Sequence, residues 1–193
     1  MIKRTVRGIG YNSGGNYKRT EYGKPTKVYL LWIDIFNRCY SDYQLERRPS
    51  YKGCTIDEKW HDFQNFAKWC DEHKYSGLGY QLDKDILVQG NKLYSPETCC
   101  FVPREINMLF TSAAKARGKY PQGVHYYKPL KKYKAIIRTH GNHENLGYHN
   151  TPEEAYSVYK YRKEVHVKEM ADLWFGNIEP RVYKALMDWK LES

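Results

Sequence analysis

Lys132-Tyr133-Lys134-Ala135-Ile136-Ile137-Arg138 is the stretch that decides the fold of the second half of this chain. Its side chains alternate. Tyr133, Ala135 and Ile137 fall on one side, and Lys132, Lys134, Ile136 and Arg138 on the other. A period of two belongs to a β-strand with one buried and one wet face. Working outward, Gly123–Tyr127 and Asn145–His149 read as two more short strands. Pro129-Leu130-Lys131 and His140-Gly141-Asn142 are the turns between the three. The first of these strands sets His125 and Tyr127 on one face. Thr151-Pro152-Glu153-Glu154 then has the pattern of a capping box, with Pro at the first helical position, where its missing N–H is not needed. Ala155, Val158, Tyr159, Tyr161, Arg162 and Val165 carry the helix on to about Trp174. The expectation for residues 119–175 is three antiparallel strands packed on one helix, with the other sheet face open. Pro180 restarts a short amphipathic helix in residues 176–193, with Val182, Leu186 and Trp189 on one side.

The first half has a different pattern. Residues 1–27 are Gly-rich and basic, without a sustained period, and read as a basic arm. Tyr29–Tyr40 predicts a helix around Trp32, Ile33, Ile35 and Phe36. Asp57–Glu72 predicts a second helix with Trp60, Phe63, Ala67 and Cys70 on one stripe. Gln81–Val88 and Cys99–Val102 read as strands, and Pro103 opens a short helix over Arg104–Phe110. Thr111–Tyr120 reads as a polar, basic linker. The fold class expected is α+β, with a core over residues 28–112.

Composition narrows the function. The 193 residues carry a formal charge of +10, and 41% are apolar. No run approaches the ~18 apolar residues that span a bilayer. The opening Met1-Ile2-Lys3-Arg4 does not lead into an apolar core, so a cytosolic protein is expected. Five cysteines without a secretion signal predict reduced thiols rather than disulfides. The charge is segregated. Between Ile106 and His143 stand Lys115, Arg117, Lys119, Lys128, Lys131, Lys132, Lys134 and Arg138, with no Asp or Glu. Residues 1–27 hold seven basic residues against Glu21 alone. Such a field attracts polyanions. No basic amphipathic helix lies in either stretch to suggest a membrane surface. The 19 tyrosines, interleaved with Lys and Arg, favour nucleic acid.

Residues 119–165 resemble the AP2 DNA-binding domain. The likeness rests on Gly123-Val124, the Lys132–Arg138 strand, Leu146-Gly147, and Thr151-Pro152-Glu153-Glu154-Ala155 with Tyr159. It implies double-stranded DNA as partner, contacted by side chains on the sheet. The positions implied are His125, Tyr127, Lys134, Arg138 and Asn145, with Lys132, Lys119 and Arg117 as further basic contacts. Plant members have Arg at the His125 and Tyr127 positions and often Trp at Asn145, and Ile136 replaces a polar residue. Arg138 is the candidate for a guanine contact, and the lysines for phosphates.

A second resemblance covers about residues 28–110. Leu82-Asp83-Lys84-Asp85, Gly90-Asn91, Tyr94-Ser95-Pro96-Glu97-Thr98-Cys99 and Phe101-Val102-Pro103-Arg104-Glu105-Ile106-Asn107 resemble the HNH endonucleases of phages, with a helical lead-in through Trp32, Arg38-Cys39-Tyr40 and Trp60. It implies a ββα-type core and Mg²⁺-dependent phosphodiester cleavage. Asp83 stands at the metal carboxylate and Asn107 at the helix ligand. Lys84 stands where the family has its base His, so His61, His73, His125 or Asp85 are alternative bases, and loss of cleavage is the rival expectation. Cys39, Cys54 and Cys99, with Cys100, could hold a structural zinc, although no Cys-x-x-Cys pair is present.

Overall fold

The structure is a computed structural model that describes residues 5–111 and 119–191. The chain divides into two compact units, Met1–Pro103 and Arg104–Ser193. Both mix helices with small sheets, as the α+β expectation required. Among the described residues, no helix is long and apolar enough to cross a membrane.

The first unit is built on aromatic packing. A short hairpin, β1 (Thr20–Glu21) and β2 (Lys24–Pro25), precedes helix α1 (Lys27–Tyr40). The Thr26 hydroxyl caps α1 by accepting from the Tyr29 N–H, and the helix buries Trp32, Ile35, Phe36 and Cys39. Helix α2 (Asp42–Arg47) and strand β3 (Thr55–Ile56) follow. The expected helix over residues 57–72 is two pieces, a 3₁₀ turn at Glu58–His61 and helix α3 (Phe63–Glu72). Asp62 separates them: its backbone is extended (φ −88°, ψ 123°) and its carboxylate accepts from the Gln64 N–H. A cap side chain competes with the helix for that amide and wins at the first turn.

The basic arm is not loose. Within its described part, Val6 is buried, and Ile9 and Tyr17 pack against the aromatic core. Tyr11 donates to the His61 carbonyl (2.8 Å) and accepts from the Phe63 N–H (2.9 Å). Gly10 lies so close to the core that a Cβ there would sit 3.0 Å from the Trp32 and Phe36 rings. The glycine run therefore serves close packing as well as chain freedom.

Strand β4 (Gln81–Asp83) is much shorter than the expected Gln81–Val88. Asp83 Oδ1 accepts from the N–H groups of Asp85 (2.7 Å) and Ile86 (2.8 Å), which turns the chain and ends the strand. Strand β5 (Leu93–Tyr94) pairs in parallel with β3, and β4 pairs antiparallel with β6 (Cys100–Val102), Asp83 opposite Cys100.

The second unit opens with helix α4 (Arg104–Leu109). Strands β7 (Val124–Tyr127), β8 (Lys132–Thr139) and β9 (Asn142–His149) form one antiparallel sheet in the order β7-β8-β9. Helix α5 (Pro152–Leu173) packs across it, and α6 (Pro180–Asp188) packs on α5. The predicted capping box is present: Thr151 Oγ1 accepts from the Glu154 N–H (3.1 Å), and Glu154 Oε2 accepts from the Thr151 N–H (3.4 Å). Val124, Ala135 and Ala155 are the buried centre between sheet and helix. Gly123 makes that approach possible. Its φ is +78°, and a Cβ would lie 2.1 Å from the Tyr159 ring and 2.8 Å from the Ile136 carbonyl.

Candidate nucleic-acid interface

The open face of the sheet follows from the register. His125 pairs with Lys134, and Lys134 with Tyr148, so the three form one row across the strands. Tyr127 pairs with Lys132, Ile136 with Asn145, and Arg138 with His143. The burial pattern agrees: Ala135, Ile137 and Thr139 are buried against the helix side, while Lys132 and Arg138 are exposed and Lys134 is half-buried. His125, Tyr127, His143 and Asn145 are also exposed.

A bulge keeps this face continuous. The register slips by one residue between Lys134 and Ile136, with the extra residue on β9 at Leu146-Gly147. Without it, Asn145 and Tyr148 would point to opposite faces, because side chains alternate. With it, both lie on the open side, and Leu146 packs into the core. Tyr148 escaped the sequence reading for this reason, because a strict period of two does not carry across an inserted residue, whereas His143 lies before Asn145, where the sequence pattern starts the strand. The Tyr148 ring stacks obliquely on Tyr127 (5.1 Å between centroids) and lies 5.7 Å from the Lys134 Nζ.

Among the described residues, none of the three strands puts a carboxylate on this face. The only acidic residue in the three strands is Glu144, and its side chain is turned to the helix, where Arg162 Nε reaches both of its oxygens (2.9 and 3.1 Å). Arg138 is partly committed: its Nε donates to the Gly141 carbonyl at 3.1 Å, which fixes the guanidinium beside the β8–β9 turn. Asn145 Oδ1 accepts from the Gly147 N–H at 3.2 Å, so this amide also holds the bulge. Lys119 is exposed at the head of the unit, and Arg117 lies outside the described residues.

The HNH-like positions are arranged otherwise. Asp83 is the turn-forming residue described above, and burial pushes its carboxyl above the ordinary carboxylate range. Lys84 is only 4% exposed. Its Nζ donates to Asp85 Oδ1 (2.5 Å) and to the Asn91 carbonyl (2.6 Å), 5.9 Å from the centre of the Tyr94 ring. Asn91 returns the favour by donating to the Lys84 carbonyl at 2.8 Å. Lys84 is thus a spoke holding the loop together, already satisfied on two sides. Asp85, the alternative base, is its ion-pair partner. His61 Nε2 faces the Ile56 carbonyl at 3.1 Å, and His73 packs between Trp69 and Phe101. Within the first unit, Asp83 joins no cluster of three His, Cys, Asp or Glu ligand atoms among the described residues. Asn107 stands on α4, in the second unit.

All five cysteines are buried free thiols. Among the described residues, Cys39, Cys54 and Cys99 are in no group of three whose ligand atoms converge. Burial raises the thiol pKa of Cys54, and pushes those of Cys39, Cys70 and Cys99 up to about 12. One cluster does converge: His140, His166 and Glu169. No sequence spacing announced it, because the β8–β9 turn brings His140 to the helix from 26 residues away.

No family model, curated protein or solved structure matches this chain.

Proposed function

We propose that this protein binds double-stranded DNA through the open face of the β7-β8-β9 sheet. The observation that carries this reading is the acid-free face bearing Lys132, Lys134, Arg138, His125 and Tyr127, backed by a capped helix that makes it rigid. A short antiparallel sheet fits a major groove about 12 Å wide. Lys132 and Lys134 serve phosphates. Tyr127 and Tyr148 offer stacked aromatic edges to sugars and thymine methyls. Arg138, anchored through Nε, presents its remaining N–H groups to a base edge.

The test is binding of the full chain to a short labelled duplex over a range of salt. Affinity should fall steeply with salt, and Lys132→Ala should flatten the log–log slope by about 0.9. Arg138→Ala should cost roughly 1–3 kcal/mol on a selected site and less on random sequence. Affinity that does not change with salt, or an RNA competitor that displaces the duplex completely, would overturn the reading.

Cleavage is the second reading. Its support is the order β4, β6, α4, two antiparallel strands followed by a helix, with Asp83 at the end of the first strand. The burial and double pairing of Lys84 weigh against a base at that position. Plasmid nicking with Mg²⁺ or Mn²⁺ decides between them. Asp83→Asn is the informative variant, because its Oδ1 can keep the turn while the charge is lost. Metal-dependent nicking by the native chain that disappears in Asp83→Asn supports the nuclease. Tight binding without nicking supports a regulator or site-occluding protein.

A further inference from the structure

We infer that His140, His166 and Glu169 form a site for one divalent transition-metal ion of the zinc class, which clasps the β8–β9 turn to helix α5. His166 Nδ1 is 3.4 Å from Glu169 Oε2, and His140 Nε2 is 3.5 Å from the same oxygen. The three ligand atoms all lie within 4.8 Å of one another. The two distances to Glu169 Oε2 are long for hydrogen bonds, whose usual range ends near ~3.2 Å. They match the edge of a metal tetrahedron: ligands at ~2.0–2.1 Å from Zn²⁺ are about 3.4 Å apart.

The surroundings fit. His166 is 4% exposed, and among the described residues its ring nitrogens meet that distant carboxylate. His140 sits at φ +47°, in the left-handed region, followed by Gly141 at +84°. This is the backbone of a tight hairpin turn in which Asn or Gly is the usual first residue. A β-hairpin has no need of His there, yet the turn delivers this imidazole to the helix, with ring centroids 4.9 Å apart. Arg162 holds both oxygens of Glu169 through Nη1 at 3.2 Å while it grips Glu144 through Nε. Two carboxylates against one guanidinium leave room for added positive charge, and the grip fixes the ligand carboxylate as outer-shell partners do. Arg162 and the nearby Lys163 also temper the affinity. Two imidazoles and one carboxylate select Zn²⁺, Co²⁺ or Ni²⁺ over Mg²⁺ and Ca²⁺, which prefer all-oxygen sites. The fourth position would be filled by water.

The full, reduced chain titrated with Co²⁺ alone should develop visible ligand-field bands saturating at one ion per chain, and Zn²⁺ should abolish them. Zn²⁺ should raise the melting temperature, and Mg²⁺ at equal concentration should not. His140→Ala, at an exposed turn position, should keep the native circular dichroism and weaken Co²⁺ binding by at least about tenfold. His166→Gln tests the buried ligand by the same spectrum. The inference is overturned if no bands appear, if His140→Ala binds Co²⁺ as the native chain does, or if the spectrum is dominated by thiolate-to-cobalt bands that report cysteine ligands.

Discussion

Gly123 and Lys84 show how much of this fold hangs on single side chains. At Gly123 the backbone is left-handed and the Tyr159 ring fills the space a methyl group would need. Gly123→Ala should cost at least about 3 kcal/mol, from backbone strain and overpacking together. Its measure is the urea midpoint of the full chain. Lys84 makes a contrasting case. Lys84→Ala removes both a buried hydrogen-bond donor and its stem, and should cost about 2–3 kcal/mol. Lys84→Met keeps most of the volume but leaves the Asn91 carbonyl without its donor, so it should recover the packing part of that cost and still lose about 1–2 kcal/mol. A Lys84→Met protein as stable as the native chain would contradict the spoke role. Neither feature was fully legible. The Asp83-Lys84-Asp85 run reads as solvated charge, because charged residues are rarely buried unless paired, and the partner that buries Lys84 is a backbone carbonyl at Asn91, invisible to composition.

Among the elements, the second-unit sheet and its helix were the most legible. Alternation over Lys132–Arg138 and the Thr151–Glu154 cap are local signals, and local hydrogen bonds realise both. Thr151→Ala should therefore lower stability by about 1 kcal/mol, the usual worth of a side-chain cap. Differential scanning calorimetry reads this directly, and an unchanged melting temperature would mean that Glu154 alone carries the helix start. The elements misjudged were those ended by a side chain turning back on its own backbone. Asp62 split one expected helix, and Asp83 cut one expected strand short. In both, the apolar pattern ran on past the break, so periodicity alone could not find it. The candidate interface was legible on β7 and β8, where the period is intact. It was incomplete on β9, where Tyr148 and His143 were missed.

On the scale of the whole molecule, each unit is stabilised by apolar burial, and the five cysteines are part of it. Cys39, Cys70 and Cys99 have ordinary values of 9.0 and folded values of about 12. The folded chain keeps these protons at a pH where the unfolded chain has lost them. This contribution is complete well below pH 9 and declines as the pH rises toward 12, by about 1.4 kcal/mol per thiol at pH 10. Urea unfolding at pH 7.5 and pH 10 tests this, and replacing the three by Ser or Ala should remove much of the difference. The same burial predicts that thiol reagents spare the native protein. Composition anticipated reduced thiols, but burial, which sets their proton affinity, comes from the packing. Charge segregation was visible from sequence at this scale, whereas the joining of the Gly-rich start to the Trp32–Phe36 core was not, since Tyr11 meets its partners some 50 residues later.

The one-residue slip at Leu146-Gly147 makes the ribbon sensitive to length in a way that substitutions do not probe. Deleting Gly147 would take out the extra residue, so Asn145, Leu146 and Tyr148 would fall into strict alternation with Tyr148 still opposite Lys134. Deleting Glu144 instead would turn Asn145 to the helix and Leu146 to the solvent. The cost of losing one residue from β9 therefore depends on which side of the slip it is lost.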